Sequence, residues 1–263
     1  MGGAVGAALT TSGVSVRWAS EERSAATRSR AEKAGLQDAH SLEALVQSSE
    51  IVLSICPPDA AFQVAQRVTE AGFNGTYVDA NALAPATVER IASIVVEAGA
   101  TFVDGDLIGG PPKPGGPTRL YLSGDSAASV AGVLTGPGLE TIVLEGDFAA
   151  ASTLKMCYAA WTKGSAALLL AIRAAARELG VEEALLAEWD RTQPGLRQRS
   201  EGAVGSVPKA WRFVGEMQEI AATFADVDLP DGFALAAAEI YSRLAEFKNA
   251  EASLSEALDA LRR

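Results

Sequence analysis

Residues 1–18, MGGAVGAALTTSGVSVRW, decide how the rest of the chain is read. A glycine turn runs directly into small residues. Ala4, Ala7 and Ala8 keep a helix surface thin, as close packing on a sheet requires, and Ser12-Gly13 ends that helix before Val14, Val16 and Trp18. Such a start reads either as plain packing of a small-residue helix or as the second half of a phosphate-binding βαβ fingerprint, in which glycines bring backbone N–H groups and a helix N-terminus against an anion. A complete unit has a buried strand feeding that turn, whereas only Met1 precedes Gly2 here. The expectation is that the native product is longer, or that this chain binds nucleotide poorly. The strand in question is central to such a sheet, and its loss exposes backbone groups.

Outward from this start, residues 14–145 alternate short β-branched runs with helical stretches, the order of βαβ units. Strands are expected at 14–18, 50–56, 76–79, 101–104, 119–123 and 141–144, with helices at 59–71 and 85–98 among those between them. The segment 109–117, GGPPKPGGP, is a loop by composition, either a rigid surface turn or the wall of a site. After Gly146 strand signals vanish and helical periodicity runs to Arg263, with helices expected at 147–179, 182–191, 208–224, 231–247 and 252–261. The expected fold is α/β. A Rossmann-like, doubly wound, mostly parallel sheet occupies 1–146 and an all-helical domain 147–263. The helix over 147–179 is apolar around most of its circumference, which predicts burial between domains or subunits and a homodimer.

The 263 residues are 48% hydrophobic and carry a net charge of -11, which disfavours nucleic-acid and anionic-membrane partners. No membrane-spanning run or secretory leader is expected, which points to the cytoplasm. Cys56 and Cys157 lack metal-ligand spacing and read as buried small hydrophobes. His40 is the only histidine, so a Ser-His-Asp triad and a multi-histidine metal site are set aside, and no metal is expected.

Chemistry concentrates in a few places. Lys155, Tyr158, Thr162 and Lys163 share one face at 3.6 periodicity, within an otherwise apolar helix. That face is either solvated or a polar slot in which a lysine exchanges a proton with substrate. Three strand ends, SICPP at 54–58, VDANALAP at 78–85 and FVDGDLIGG at 102–110, fall at the carboxyl edge, where open α/β sheets bind ligands. Pro57-Pro58 removes two backbone donors beside a flat ring, and Asn81 offers a donor and an acceptor. Asp79, Asp104 and Asp106 read as loop caps at strand ends, with acid/base work the minor alternative.

In this order, the glycine-rich helix start, SICPP, YVDANALAP, FVDGDLIGG and TLKMCYAAWTKG resemble the β-hydroxyacid dehydrogenase superfamily over nearly the whole chain. That group includes 6-phosphogluconate and 3-hydroxyisobutyrate dehydrogenases and imine reductases. The likeness is greatest to an imine-reductase-related branch with a helical, phosphogluconate-dehydrogenase-like C-terminal domain. The resemblance implies that Gly2 closes the phosphate turn, that Pro57 and Pro58 border the nicotinamide, and that Asn81 contacts cofactor or substrate. It makes Gly109 and Gly110 the substrate-side turn and Lys155 the general acid/base. Two positions depart from the family: Ile108 stands for its serine before the double glycine, and Ala159 for its asparagine one turn after the lysine. Tyr158, Thr162 and Lys163 are the replacements expected to touch substrate.

In KAWRFVGEMQEI, residues 209–220, Arg212 and Glu216 are spaced as a surface i, i+4 ion pair. Related enzymes complete their sites with C-terminal residues of the partner subunit, which gives Arg212 an anion-binding role. After Trp18, Arg23, Ser24, Thr27 and Arg28 suit the 2′-phosphate of NADP, while Glu21 and Glu22 would suit the ribose of NAD; NADP is favoured. The expected function is hydride transfer between nicotinamide and a small hydroxyl-bearing substrate, or an imine. The alternatives are a noncatalytic dinucleotide-binding sensor or partner module on the same fold, and a structural helical dimer.

Overall fold

Pro58 and Pro85 each occupy the first turn of a helix, where a missing N–H costs no hydrogen bond, and so fix where two strands give way to helices. The computed structural model describes residues 1–116, 118–248 and 250–262. It divides into two compact units, Met1–Lys155 and Met156–Arg263. Pro117, in the expected loop, and the terminal Arg263 lie outside the described residues.

The first unit runs α1 Gly2–Thr11, β1 Arg17–Trp18, α2 Ala25–Lys33, β2 Gln37–Asp38, α3 Leu42–Gln47, β3 Ile51–Ser54, α4 Pro58–Glu70 and β4 Thr76–Asp79. It continues with α5 Pro85–Glu97, β5 Thr101–Ile108, β6 Thr118–Ser123, α6 Ala127–Ala131, β7 Leu139–Val143 and the start of α7 Ala150–Glu178. Five strands form one sheet in the order β3-β4-β5-β6-β7, while β1 and β2 pair with each other. Every neighbouring pair in the larger sheet is parallel except β5 with β6. Its two faces carry separate cores. Val5, Val78, Val103, Leu120 and Leu122 belong to one, and Tyr77, Leu83, Val88 and Ile91 to the other.

Strand β5 extends four residues beyond the expected 101–104. Its Asp104-Gly105-Asp106 centre is polar in sequence, yet both aspartates are buried on one face, and a Cβ at Gly105 would stand 2.9 Å from Leu122 on the other. The expectation that Asp104 and Asp106 cap loops is therefore corrected. They are interior strand residues, and only Asp79 ends its strand. Helices α2, α3 and α6 and strand β2 are additions to the sequence reading. Ser24 and Ser41 cap α2 and α3 through their hydroxyls, but short or highly charged segments carry little apolar periodicity.

The second unit contains the rest of α7, then α8 Glu182–Thr192, α9 Leu196–Gly202, α10 Ala210–Ala225, α11 Gly232–Arg243 and α12 Leu254–Ala260. Phe213 meets Tyr241 edge-on at 5.3 Å, and Phe224 meets Phe233 at 4.9 Å, joining α10 to α11. Pro208 falls in a 3-10 run, Ala203–Lys209, so α10 begins two residues later than expected. A capping box between Ser253 and Glu256 opens α12. Among the described residues no helix is long and apolar enough to cross a membrane. Cys157 is exposed, correcting its expected burial, because it falls on the same side of α7 as Tyr158 and Trp161, which are also exposed.

Candidate active site

Side chains cross-link the carboxyl ends of the strands in the first unit. Asn81 lies two residues beyond β4 and is buried. Its Oδ1 accepts the Cys56 N–H at 2.5 Å, its Nδ2 donates to Ser54 Oγ at 2.9 Å, and its backbone N–H donates to Asp79 Oδ1 at 3.0 Å. One amide thus ties the exit of β3 to that of β4 and sets where Pro57 and Pro58 turn into α4. A Cβ on Gly2 would lie 3.8 Å from Ile55 Cβ, so the start of α1 stands against the same exit. That start has no acidic residue in its first turn and no side-chain cap. Arg23 is near enough for its charge to act on the Cys56 thiol, whose pKa burial pushes up to about 11. Ser24 follows Arg23, and its Oγ accepts the Thr27 N–H at 3.3 Å. Gly2, Arg23, Pro57, Pro58 and Asn81 therefore gather around the end of β3.

A second constellation links β5 to α7. Asp104 accepts the Ser152 hydroxyl at 2.6 Å on one oxygen, and the Ser152 N–H and the Ser123 hydroxyl at 2.9 Å each on the other. Ser123 Oγ also accepts the Ala151 N–H at 2.9 Å. A carboxylate at the first turn of α7 complements the helix dipole, and these bonds fix the direction in which the helix leaves the sheet. Lys155 follows Ser152 by three residues on the same helix face. Its Nζ donates to Asp106 Oδ1 and to the Leu107 carbonyl, both at 2.6 Å, and the two charged side chains are only 12% and 2% exposed. Such a pair is stable only when its remaining hydrogen-bonding capacity is met, and the carbonyl supplies part of that.

Asp79 and Asp104 are register partners, so three carboxyl groups share one sheet face. Burial, the largest cause, with the neighbouring aspartates pushes the Asp79 pKa up to about 8. Burial likewise raises Asp104 to about 6, against the opposing effect of its serine partners. The alternate spacing of Asp104 and Asp106 held the clue that both face inward, but Ser123, Ser152 and the Leu107 carbonyl gave no signal in the sequence. Beyond β5, Gly109 takes φ 121, and Thr118 Oγ1 donates to the Gly110 carbonyl at 2.8 Å, which pins the double-glycine turn.

The remaining expected substrate residues belong to the second unit. Lys163 binds Glu216, and its Nζ lies 5.0 Å over the Phe213 ring, while Tyr241 Oη donates to the Lys163 carbonyl at 2.8 Å. Glu216 is therefore buried and paired with Lys163, which corrects the expected surface pair with Arg212. Arg212 instead stacks 5.5 Å over Phe213 with its Nε buried and without a hydrogen-bond partner. Tyr158 and Thr162 are exposed, and the Thr162 hydroxyl donates back to the Tyr158 carbonyl at 3.1 Å. Among the described residues no cluster of His, Cys, Asp and Glu could hold a metal ion.

Residues 176–244 match the family described as domain of unknown function DUF1932, a C-terminal domain of 3-hydroxyacid dehydrogenase-like proteins. The chain is 31% identical over 180 residues to an uncharacterized 28.5 kDa protein of the 7S RNA 5′ region of Methanothermus fervidus, covering 68% of this chain and 69% of that one. A conserved protein of unknown function, described as structurally similar to 3-hydroxyacid dehydrogenases, superposes with a TM-score of 0.68 at 28% identity, over 93% of each chain. Two further structures share the fold. The Mycobacterium tuberculosis 3-hydroxyisobutyrate dehydrogenase with L-serine gives a TM-score of 0.72 at 17% identity, over 100% of this chain and 96% of its own. An Aspergillus terreus reductive aminase in complex with NADPH gives 0.58 at 19% identity, over 98% and 95%.

Proposed function

The chain belongs to the β-hydroxyacid dehydrogenase superfamily, and we propose that it is an NAD(P)-dependent oxidoreductase acting on a small hydroxyl-bearing or imine-bearing substrate. The observation that carries this reading is the placement of Lys155. An ammonium has three N–H donors; two go to Asp106 and the Leu107 carbonyl, which leaves one to meet a substrate oxygen or nitrogen. The nicotinamide, when bound, supplies or takes the hydride. Lys155 gives a proton from Nζ to the reduced oxygen or nitrogen, or takes it back in the oxidative direction, and Asp106 holds that nitrogen in place. The glycine turn at Gly109 and Gly110 lets backbone approach the reacting group without a side chain intervening.

The residues around the end of β3 fit a dinucleotide. The first turn of α1 at Gly2 offers N–H groups to a pyrophosphate with no acidic side chain competing. Pro57 and Pro58 present a surface without backbone donors, and Asn81 holds that turn through Oδ1 and one Nδ2 N–H, which leaves its second Nδ2 N–H for the cofactor or substrate. Arg23 and Ser24 suit a 2′-phosphate, so NADP is preferred over NAD. Tyr158 and Thr162 are better substrate contacts than Lys163, whose charge Glu216 already neutralises; Arg212 retains an anion-binding role. Trp161 and Leu168 are exposed along α7, which favours a homodimer covering that face.

Fluorescence titration with NADPH and NADH tests the cofactor assignment. NADPH is expected to bind more tightly, and Arg23→Gln to weaken NADPH about tenfold while sparing NADH. Absence of binding by either dinucleotide sinks the proposal. The noncatalytic alternative rests on Ile108 and Ala159, and it predicts binding without turnover of any substrate.

A further inference from the structure

Asp79 and Asp104 are register partners on neighbouring strands and both are buried, so their carboxyl groups leave the same side of the sheet one strand spacing apart. Two carboxyl groups this close in a dry interior cannot both ionise without a large cost. Their surroundings are unequal. Asp104 Oδ2 faces the Ser152 backbone N–H at 2.9 Å, a group that can only donate, and Oδ1 receives the Ser152 hydroxyl at 2.6 Å. Both bonds come from the first turn of α7, a helix of 29 residues whose N-terminal dipole favours a negative charge. The Ser123 oxygen lies 2.9 Å from both Asp104 Oδ2 and the Phe148 carbonyl, so its single proton goes to the stronger acceptor, an ionised carboxylate.

Asp79 has the opposite setting. Its Oδ1 accepts one N–H, from Asn81, and its Oδ2 is sealed from solvent without a hydrogen-bond partner. Among the described residues it enters no ion pair, and the nearby Asp106 holds Lys155. The other titratable groups around Asp79 are Tyr77 and Cys56; burial raises both, so both are neutral near pH 7. An ionised Asp79 would leave a bare oxyanion in the interior, whereas its acid form leaves only a neutral group. Ser152 and Lys155 stand one turn apart on α7, and the ammonium reaches Asp106, two residues along β5 from Asp104. The helix is thus fastened to one strand at two levels, so a shift of its first turn carries the ammonium with it.

We propose that Asp104 is the positioning residue for Lys155: it is the anion of the Asp79–Asp104 pair, Asp79 keeps the proton, and the anion holds the first turn of α7 where Lys155 Nζ meets Asp106. Burial, the largest cause for both, raises Asp79 to about 8 and Asp104 to about 6, which preserves this division near pH 7. That Lys155 transfers a proton rests on the oxidoreductase reading above; its placement by Asp104 does not.

Proton–nitrogen NMR of the intact protein with isotope-labelled lysine follows the ammonium directly. The Lys155 signal is identified by its loss in Lys155→Met, and the signal of the buried Lys163 is the internal reference. Near pH 7, Ser152→Ala and Asp104→Asn are expected to displace the Lys155 signal but not that of Lys163, and to lower kcat about ten- to a hundredfold at unchanged NADPH affinity. Ser152→Thr, which keeps the hydroxyl and the N–H, should restore both. Lowering the pH through about 6 should displace the wild-type Lys155 signal as Asp104 takes a proton. That transition is expected to persist in Asp79→Asn and to vanish in Asp104→Asn. Circular dichroism and melting curves verify folding, and should Asp104→Asn fail to fold, Ser152→Ala and Asp79→Asn carry the test. An unmoved Lys155 signal in Ser152→Ala, a transition that survives in Asp104→Asn, or one that is lost in Asp79→Asn overturns the proposal. A displaced Lys155 signal in a protein that turns over no nicotinamide substrate would leave the positioning role standing and defeat only the oxidoreductase reading.

Discussion

Lys155 reaches from α7 to β5 and donates to both the Asp106 carboxylate and the Leu107 carbonyl at 2.6 Å, so the side chain proposed as the proton donor is also a buried ion-pair partner. These two roles are separable by substitution. Lys155→Met strands Asp106 without its cation and is expected to cost about 3–5 kcal/mol of stability, together with about 10²–10⁴ in kcat. Adding Asp106→Asn restores most of the stability, since no uncompensated charge remains, but none of the activity. Urea unfolding and steady-state kinetics on the single and double variants measure the two effects independently.

Asp79 gives the fold a pH dependence of definite sign. Its folded pKa is raised to about 8 from 3.8, so the native state holds a proton that the unfolded state has released. The contribution is fully present below the unfolded value and is lost as pH rises through the folded one. Stability should therefore fall between about pH 4 and 8, with Asp104 adding to the decline up to about 6. Asp79→Asn keeps an acceptor for the Asn81 N–H and removes the titration. It is expected to raise stability at pH 8 by roughly 1–3 kcal/mol and to do little at pH 4, a difference that melting curves at the two pH values detect.

Lys163 and Glu216 form the corresponding buried pair of the second unit, with Phe213 beneath the ammonium. Lys163→Met or Glu216→Gln alone should destabilise by about 3–5 kcal/mol, because each leaves a charge without its partner. The double variant is expected to cost less than the sum. A double-mutant cycle by urea unfolding measures the coupling, expected at about 1–3 kcal/mol.

Gly138 holds the glycine- and proline-rich loop in place. It takes φ +75, and a Cβ there would stand 1.9 Å from the Lys113 carbonyl oxygen. Gly138→Ala must displace the loop and should cost more than about 1 kcal/mol. Gly132→Ala is the contrasting case. Its backbone is right-handed helical at φ -65 and nothing lies within 4 Å of the added Cβ, so it should be neutral or stabilising by up to about 1 kcal/mol. Thermal melts of the two variants test the difference.

Much of this arrangement was legible in sequence wherever apolar periodicity dominates. Strand β4 falls at the expected residues 76–79, and helix α5 at 85–97 against an expected 85–98. Lys155 stood out as a polar residue in an apolar helix. What stayed hidden depends on partners remote in sequence. Asp106 looked like a loop cap because its ammonium partner is 49 residues away, and Glu216 looked like a partner for Arg212 because the i, i+4 neighbour is local while Lys163 is 53 residues distant.

The most direct test of the account is consumption of reduced nicotinamide by the wild type and Lys155→Met, assayed against a panel of small oxo acids, hydroxy acids in the reverse direction, and imines. The account predicts turnover of at least one of these substrates by the wild type, lost about a hundredfold or more in the variant while NADPH still binds. Tight NADPH binding with no turnover of any substrate, or equal turnover in Lys155→Met, would contradict it.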